Sequence, residues 1–182
     1  MPESTSDASI LIAISHQAHN RAKSGNELTL LCDCTVMIVF AGFFIEANLN
    51  HIIAVMDKEP EILKFWGYSE GKKLGIQDKL AWFYNSFGGG AKINLSGVPS
   101  SEKKDLKKQL YARLRDKFPG FQEIYDFRND ISHGKIDPSA ANLSNAETLR
   151  KQAKSIVDEL FNLAEQAGYS ISRTKTYYEA IA

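Results

Sequence analysis

Late in the chain, the run Arg128-Asn129-Asp130-Ile131-Ser132-His133 holds the residue types that metal-free phosphodiester chemistry needs. Cleaving RNA without a metal requires a base to activate the 2′-hydroxyl, an acid for the leaving 5′-oxygen, and a cation to stabilise charge on the phosphorane. An imidazole such as that of His133 exchanges protons near neutral pH. The Arg128 guanidinium offers bidentate donors to phosphate oxygens. Asn129 can orient the imidazole or bind substrate. One chain supplies a single histidine in this run, so acid and base together are most simply provided by two chains, which predicts a homodimer.

The same run reads as the end of a helix. At about 100° per residue, Phe121, Ile124, Tyr125, Phe127 and Ile131 form one arc centred near Arg128. An arginine inside an apolar stripe must snorkel outward or meet a carboxylate or a bound anion. Asn129 and His133 stand four apart beside it. The helical rise from Arg128 to His133 is roughly 7.5 Å, within reach of one phosphodiester. Gly134 is placed to stop the helix and leave the His133 ring facing open space. A competing reading of these residues is a structural ion pair plus a histidine favoured by the helix dipole.

The elements that must position this run are helical. Apolar spacing predicts a first helix through Ile10, Leu11, Ile14 and Ala18, stopped by Gly25, and a long central helix from Glu27 to Asp57. Shorter helices follow from Pro60 to Trp66 and from Ile76 to Phe87. Gly88-Gly89-Gly90 and the stretch to Ser101 read as a lid or a linker. Ser101 is placed to cap a helix from Glu102 to Phe118 with Leu106, Leu110 and Leu114 in one stripe. The motif helix is expected from Phe121 to His133, and a last helix from Ala146 to Ala167, closed by Gly168. The expected organisation is a leader over 1–8, one all-α helical domain over 9–167 and a tail over 168–182, with Tyr177, Tyr178 and Ile181 available to dock.

Composition narrows the function. Among 182 residues, 22 Lys and Arg balance 22 Asp and Glu, so no global field draws the chain to polyanions and any such site must be local. Cys32 and Cys34, two apart in an apolar run, close no disulfide framework and suit a reducing cytoplasm. No Cys/His cluster has metal spacing, so neither a metal nor another cofactor is expected. The polar Met1 to Ser9 segment is unlike a signal peptide. The longest uninterrupted apolar run, Val36 to Ile45, is short of the roughly 18 residues a span needs, and no membrane partner is expected.

Arg128 and His133 with four residues between them, Asn129 directly after the arginine, resemble the signature of the HEPN superfamily, and the motif's place at a helix end before a loop and a final long helix is similar too. The resemblance covers roughly Ser9 to Ala167 in helix order, and only the motif in residues. It implies an up-and-down helical bundle that dimerises and sets two motif copies across a cleft. Many members are metal-independent endoribonucleases, including toxins restrained by an antitoxin protein and antiviral effectors. In that family an early helix carries a polar position facing the motif. Glu46, within the apolar central helix, is therefore the candidate for holding Arg128, with Asn50 one turn on and Asp130 inside the motif as supporting residues. A family variant carries a tyrosine two positions after the histidine, where this chain has Lys135.

Other features divide between sharp and plain readings. Lys103, Lys104, Lys107 and Lys108, with Lys135 beyond the motif, are candidate RNA contacts, although a solvated helix face also accounts for them. Trp66, Trp82, Phe83 and Tyr84 are better read as core than as base-stacking residues. His16 and His19 are expected at the surface of the first helix. Three functions compete: a metal-independent RNase, a non-catalytic RNA- or nucleotide-binding or protein-interaction module, and a structural helical protein in which Arg128 pairs with Glu46.

Overall fold

The computed structural model describes residues 7–25, 27–135 and 139–172, and among these the chain is all-α, with seven helices and no strand. They are α1 (Asp7–Ser24), α2 (Glu27–Val55), α3 (Glu59–Trp66), α4 (Ile76–Phe87), α5 (Ser100–Lys117), α6 (Pro119–Ser132) and α7 (Leu143–Gln166). The expected leader therefore overlaps a helix from Asp7. Residues 1–6 and most of the tail, with Tyr177, Tyr178 and Ile181, lie outside the described residues.

Two compact units divide the chain, each assembled from distant segments. The first joins the described residues up to Asn48 to Gly120–Glu159. The second joins Leu49–Pro119 to Leu160–Ile171. Helices pack against one another within each unit, because one apolar face per helix must leave water.

In the first unit α2 supplies Cys34, Met37, Ile38, Ala41, Phe44 and Ile45, all buried. Each large side chain of this kind stabilises by about 1.5–3 kcal/mol when fully buried. Thr29–Val55 is long and apolar enough to cross a bilayer by length and composition, so the ten-residue apolar run understates this helix. It also carries charge at two points. Buried Asp33 accepts from Arg21 Nε at 3.0 Å and Nη2 at 2.7 Å, and Glu46 is paired as described below. Ser15 Oγ on α1 donates to the Met37 carbonyl at 3.3 Å. Such use of polar groups is that of a core helix.

The second unit is organised by aromatic residues. Trp66, Trp82 and Phe83 are buried, as their spacing predicts, and the Trp66 indole donates to the Asp78 carbonyl at 3.2 Å. The stretch after the glycine triplet is pinned to this core. Asn85 accepts from the Ile93 amide at 2.9 Å and donates to its carbonyl at 3.0 Å, while Ile93 and Leu95 are buried.

Helix ends correct several expected boundaries. α5 begins at Ser100, not after a Ser101 cap, because the Pro99 carbonyl accepts from the Glu102 and Lys103 amides and no side chain caps it. α7 begins at Leu143 rather than Ala146. Asn142 caps it, its side-chain oxygen accepting from the Asn145 amide at 2.9 Å. α6 starts on Pro119, whose fixed φ suits a first helical position.

Candidate functional site

Helix α6 carries the motif, and its C-terminus is built to stop where it does. The Lys135 amide bonds to the Asp130 carbonyl at 2.7 Å and the Gly134 amide to the Ile131 carbonyl at 3.0 Å. This closure requires a left-handed residue, and Gly134 has φ +71°. Ser132 turns its hydroxyl back to the Asn129 carbonyl at 2.7 Å. His133 follows the last helical residue, is exposed, and has no hydrogen-bond partner for its ring among the described residues.

Arg128 faces the other way, toward α2. Its Nη1 donates to Glu46 Oε2 at 2.6 Å, joining residues 82 apart in sequence. The guanidinium carbon stands 4.6 Å from the centroid of the Phe43 ring, a cation–π geometry. Both partners stay partly wet, with side chains 28% and 32% exposed. An exposed pair of this kind contributes only about 0.2–1 kcal/mol. Four guanidinium N–H groups remain beyond the one that Glu46 takes.

Close approach of the two helices depends on Gly42. A Cβ there would stand 3.0 Å from Ile124 Cγ2 and 3.5 Å from Arg128 Cδ. Gly42, Phe43 and Glu46 thus form a shelf on α2, in order the space, the ring and the carboxylate that Arg128 uses. Glycine and phenylalanine on that shelf were not legible as site residues. Their only sequence signal is the i, i+1, i+4 spacing to an acid on one helix.

Arg128, Glu46 and Phe43 come together, but Arg128 and His133 make no contact with each other. Five residues on a helix turn through 500°, leaving side chains roughly 140° apart, so α2 engages one and solvent the other. Asn129 is half-buried beside them, while Asp130 and Lys135 are exposed. Asn50, expected as a supporting residue, has a partner of its own. Its Oδ1 accepts from Lys79 Nζ at 2.8 Å within the second unit.

The α5 lysines also sort differently from a uniform basic face. Lys107 is bound into a cluster, with Nζ 3.2 Å from Asp78 Oδ1 and 4.8 Å from the Trp66 ring centroid. The Tyr111 ring lies 5.4 Å from the same ammonium, and its hydroxyl donates to Asp78. Burial opposes the Lys107 charge, yet hydrogen bonds and fields from Tyr111 and Asp78 outweigh it and hold the ammonium above the usual lysine range. Burial, then the bond to Asp78, pushes the Tyr111 phenol up. Lys107 is therefore no free phosphate contact. Lys108 pairs with Asp105 at 3.0 Å on the surface, Lys104 is exposed, and Lys103 is half-buried beside Gly67.

His16 and His19 depart from the surface placement expected for them. His19, 13% exposed, sits 2.6 Å from Glu147, and His16 lies 3.1 Å from Arg150, so both tie α1 to α7. Buried Cys34 has its thiol pushed up, first by burial and then by Asp33 and Glu147, which makes it a poor nucleophile. Among the described residues no three His, Cys, Asp or Glu side chains converge as a metal site would require. No protein-family model matches this chain, and no curated protein or solved structure is similar enough to count as a match.

Proposed function

We propose that the chain is an RNA-cleaving protein of the HEPN type, a metal-independent endoribonuclease of the cytoplasm that acts as a homodimer in a toxin or defence role. The observation that carries this reading is the Arg128 guanidinium, fixed by Glu46 and Phe43 yet left with unused donors among the described residues, on a helix that ends by presenting His133 to solvent. A purely structural ion pair would account for Glu46. It accounts for His133 only through the helix dipole and leaves the half-buried Asn129 without a role.

In the proposed reaction one imidazole takes the proton of the 2′-hydroxyl, whose oxygen attacks phosphorus. The P–O5′ bond breaks as a second imidazole, His133 of the partner subunit, protonates the leaving oxygen. The products are a 2′,3′-cyclic phosphate and a 5′-hydroxyl. Arg128 carries the charge that develops on the non-bridging oxygens, and Asn129 binds the substrate backbone. Glu46 keeps the guanidinium oriented, a positioning role.

One observation favours a second reading, RNA binding without cleavage: among the described residues the His133 ring lacks an orienting hydrogen-bond partner, which general acid–base catalysts ordinarily have. Incubating the purified chain with RNA in EDTA, beside His133→Ala and Arg128→Ala, separates the two. Cleavage lost in both variants supports the RNase. Retention of RNA by an Arg128-dependent contact with no product selects the binding protein. Equal cleavage by wild type and His133→Ala sinks the first reading, and RNA indifference in all three sinks both.

A further inference from the structure

We propose that α1 and α7 frame a second site in the first unit, in which Arg150, His16 and Lys23 receive a phosphate group. A guanidinium only donates hydrogen bonds, so the 3.1 Å contact from Arg150 Nη2 makes His16 Nδ1 an acceptor. The ring proton then sits on Nε2, 3.2 Å from the Asn20 amide, which must offer its oxygen there. His16 is neutral in this state. Burial first, then the fields of Arg150, His19 and Lys23, hold its pKa below the usual histidine value.

Arg150 is half-buried and has no carboxylate hydrogen-bond partner among the described residues. Burial lowers its pKa despite the Glu147 field. The contrast with the other arginine ties of this unit is direct, since Arg21 donates to Asp33 and Arg128 to Glu46. Glu147, one turn before Arg150, is taken by the His19 Nε2 contact at 2.6 Å and has Lys23 at 3.9 Å. Lys151 also acts on that carboxylate. From α2, Asp33 is engaged by Arg21. Three permanent cations, Arg150, Lys23 and Lys151, thus surround one acid that is already used. Arginine half-buried against an imidazole acceptor, in an excess of positive charge, lacks its anion.

A tetrahedral dianion supplies what is missing. Arg150 has donors to spare, the Lys23 ammonium is 58% exposed, and His16 changes from acceptor to donor on taking up a proton. Binding is therefore coupled to His16 protonation and strengthens as pH falls. This site is separate from the Arg128 motif, and its test does not depend on cleavage.

The experiment follows the histidine ring resonances of the full chain by NMR with inorganic phosphate, with sulfate and with chloride at matched ionic strength. Sulfate keeps its charge from about pH 5.5 to about pH 7.5, so any pH dependence belongs to the protein. The expected result is a His16 titration moved upward by phosphate and sulfate but not chloride. Sulfate affinity should fall by up to about tenfold per pH unit above that titration. Arg150→Gln and Lys23→Gln should abolish or weaken the effect, and Arg150→Lys should restore part of it. Arg128→Ala should leave it intact. A nucleoside monophosphate and an RNA lacking terminal phosphates then separate a monoester source from a backbone diester. A His16 titration indifferent to both dianions, or a response in folded Lys23→Gln and Arg150→Gln proteins as large as in the wild type, overturns the proposal.

Discussion

Two clusters in this molecule share one recipe, a cation held by a carboxylate and an aromatic ring, yet they differ in what is left over. In the second unit Lys107 meets Asp78, with Trp66 and Tyr111 about its ammonium. In the first, Arg128 meets Glu46 and a single ring, Phe43. A compact ammonium has three donors, and the Lys107 cluster surrounds them. A guanidinium has five, and Glu46 takes one. The first arrangement is a tertiary lock joining α4 and α5, and the second leaves four guanidinium N–H groups beyond the Glu46 bond.

The largest effect that would sharpen this contrast is on cleavage. His133→Ala is expected to reduce RNA cleavage about 10²–10⁴-fold, the contribution of a positioned acid or base, with an unchanged denaturation midpoint. Asp78→Ala is expected to do the opposite. It strands the Lys107 ammonium and the Tyr111 hydroxyl, costing about 2 kcal/mol in urea unfolding while RNA affinity holds. Should Asp78→Ala impair RNA binding as much as Arg128→Ala does, the lock and the site would not be distinct.

Smaller effects probe geometry. Gly134→Ala places a Cβ at φ +71° and is expected to cost roughly 1 kcal/mol, with cleavage falling further because His133 loses its fixed exit from α6. Arg128→Lys should change stability by less than about 1 kcal/mol yet weaken RNA binding, since an ammonium cannot fork onto a phosphate. Equal RNA affinity for Arg128→Lys would remove the argument from spare donors.

The smallest expected effect is on pH dependence. The folded-state pKa of His16 is depressed, so its contribution to stability is complete above the ordinary histidine value of about 6.5. It is lost as pH falls from there through the folded value. His16→Gln should flatten that part of a stability-against-pH curve measured in low-phosphate buffer.

Much of the local structure was legible because helix formation is local. Apolar spacing placed all seven helices to within a few residues, and Gly134 and Gly168 marked stops that the backbone adopts with positive φ. Errors fell at starts. Pro99 and Asn142 satisfied the first amides earlier than Ser101 and Ala146 suggested, since several nearby groups compete to cap any helix. The spacing from Arg128 to His133 was equally readable, as a helix of known pitch fixes it.

Residue order alone therefore determined which side chains share a helix, where each helix stops, and that an arginine would interrupt the apolar face of α6. Tertiary structure decided every partner. It gave Glu46 and Phe43 to Arg128, sent Asn50 to Lys79, closed Lys107 against Asp78, and tied His16 and His19 to α7. The physical reason is range. Hydrogen bonds four residues apart build a helix, whereas the rotation and register that bring two helices' side chains into contact follow from packing among segments far apart in the chain.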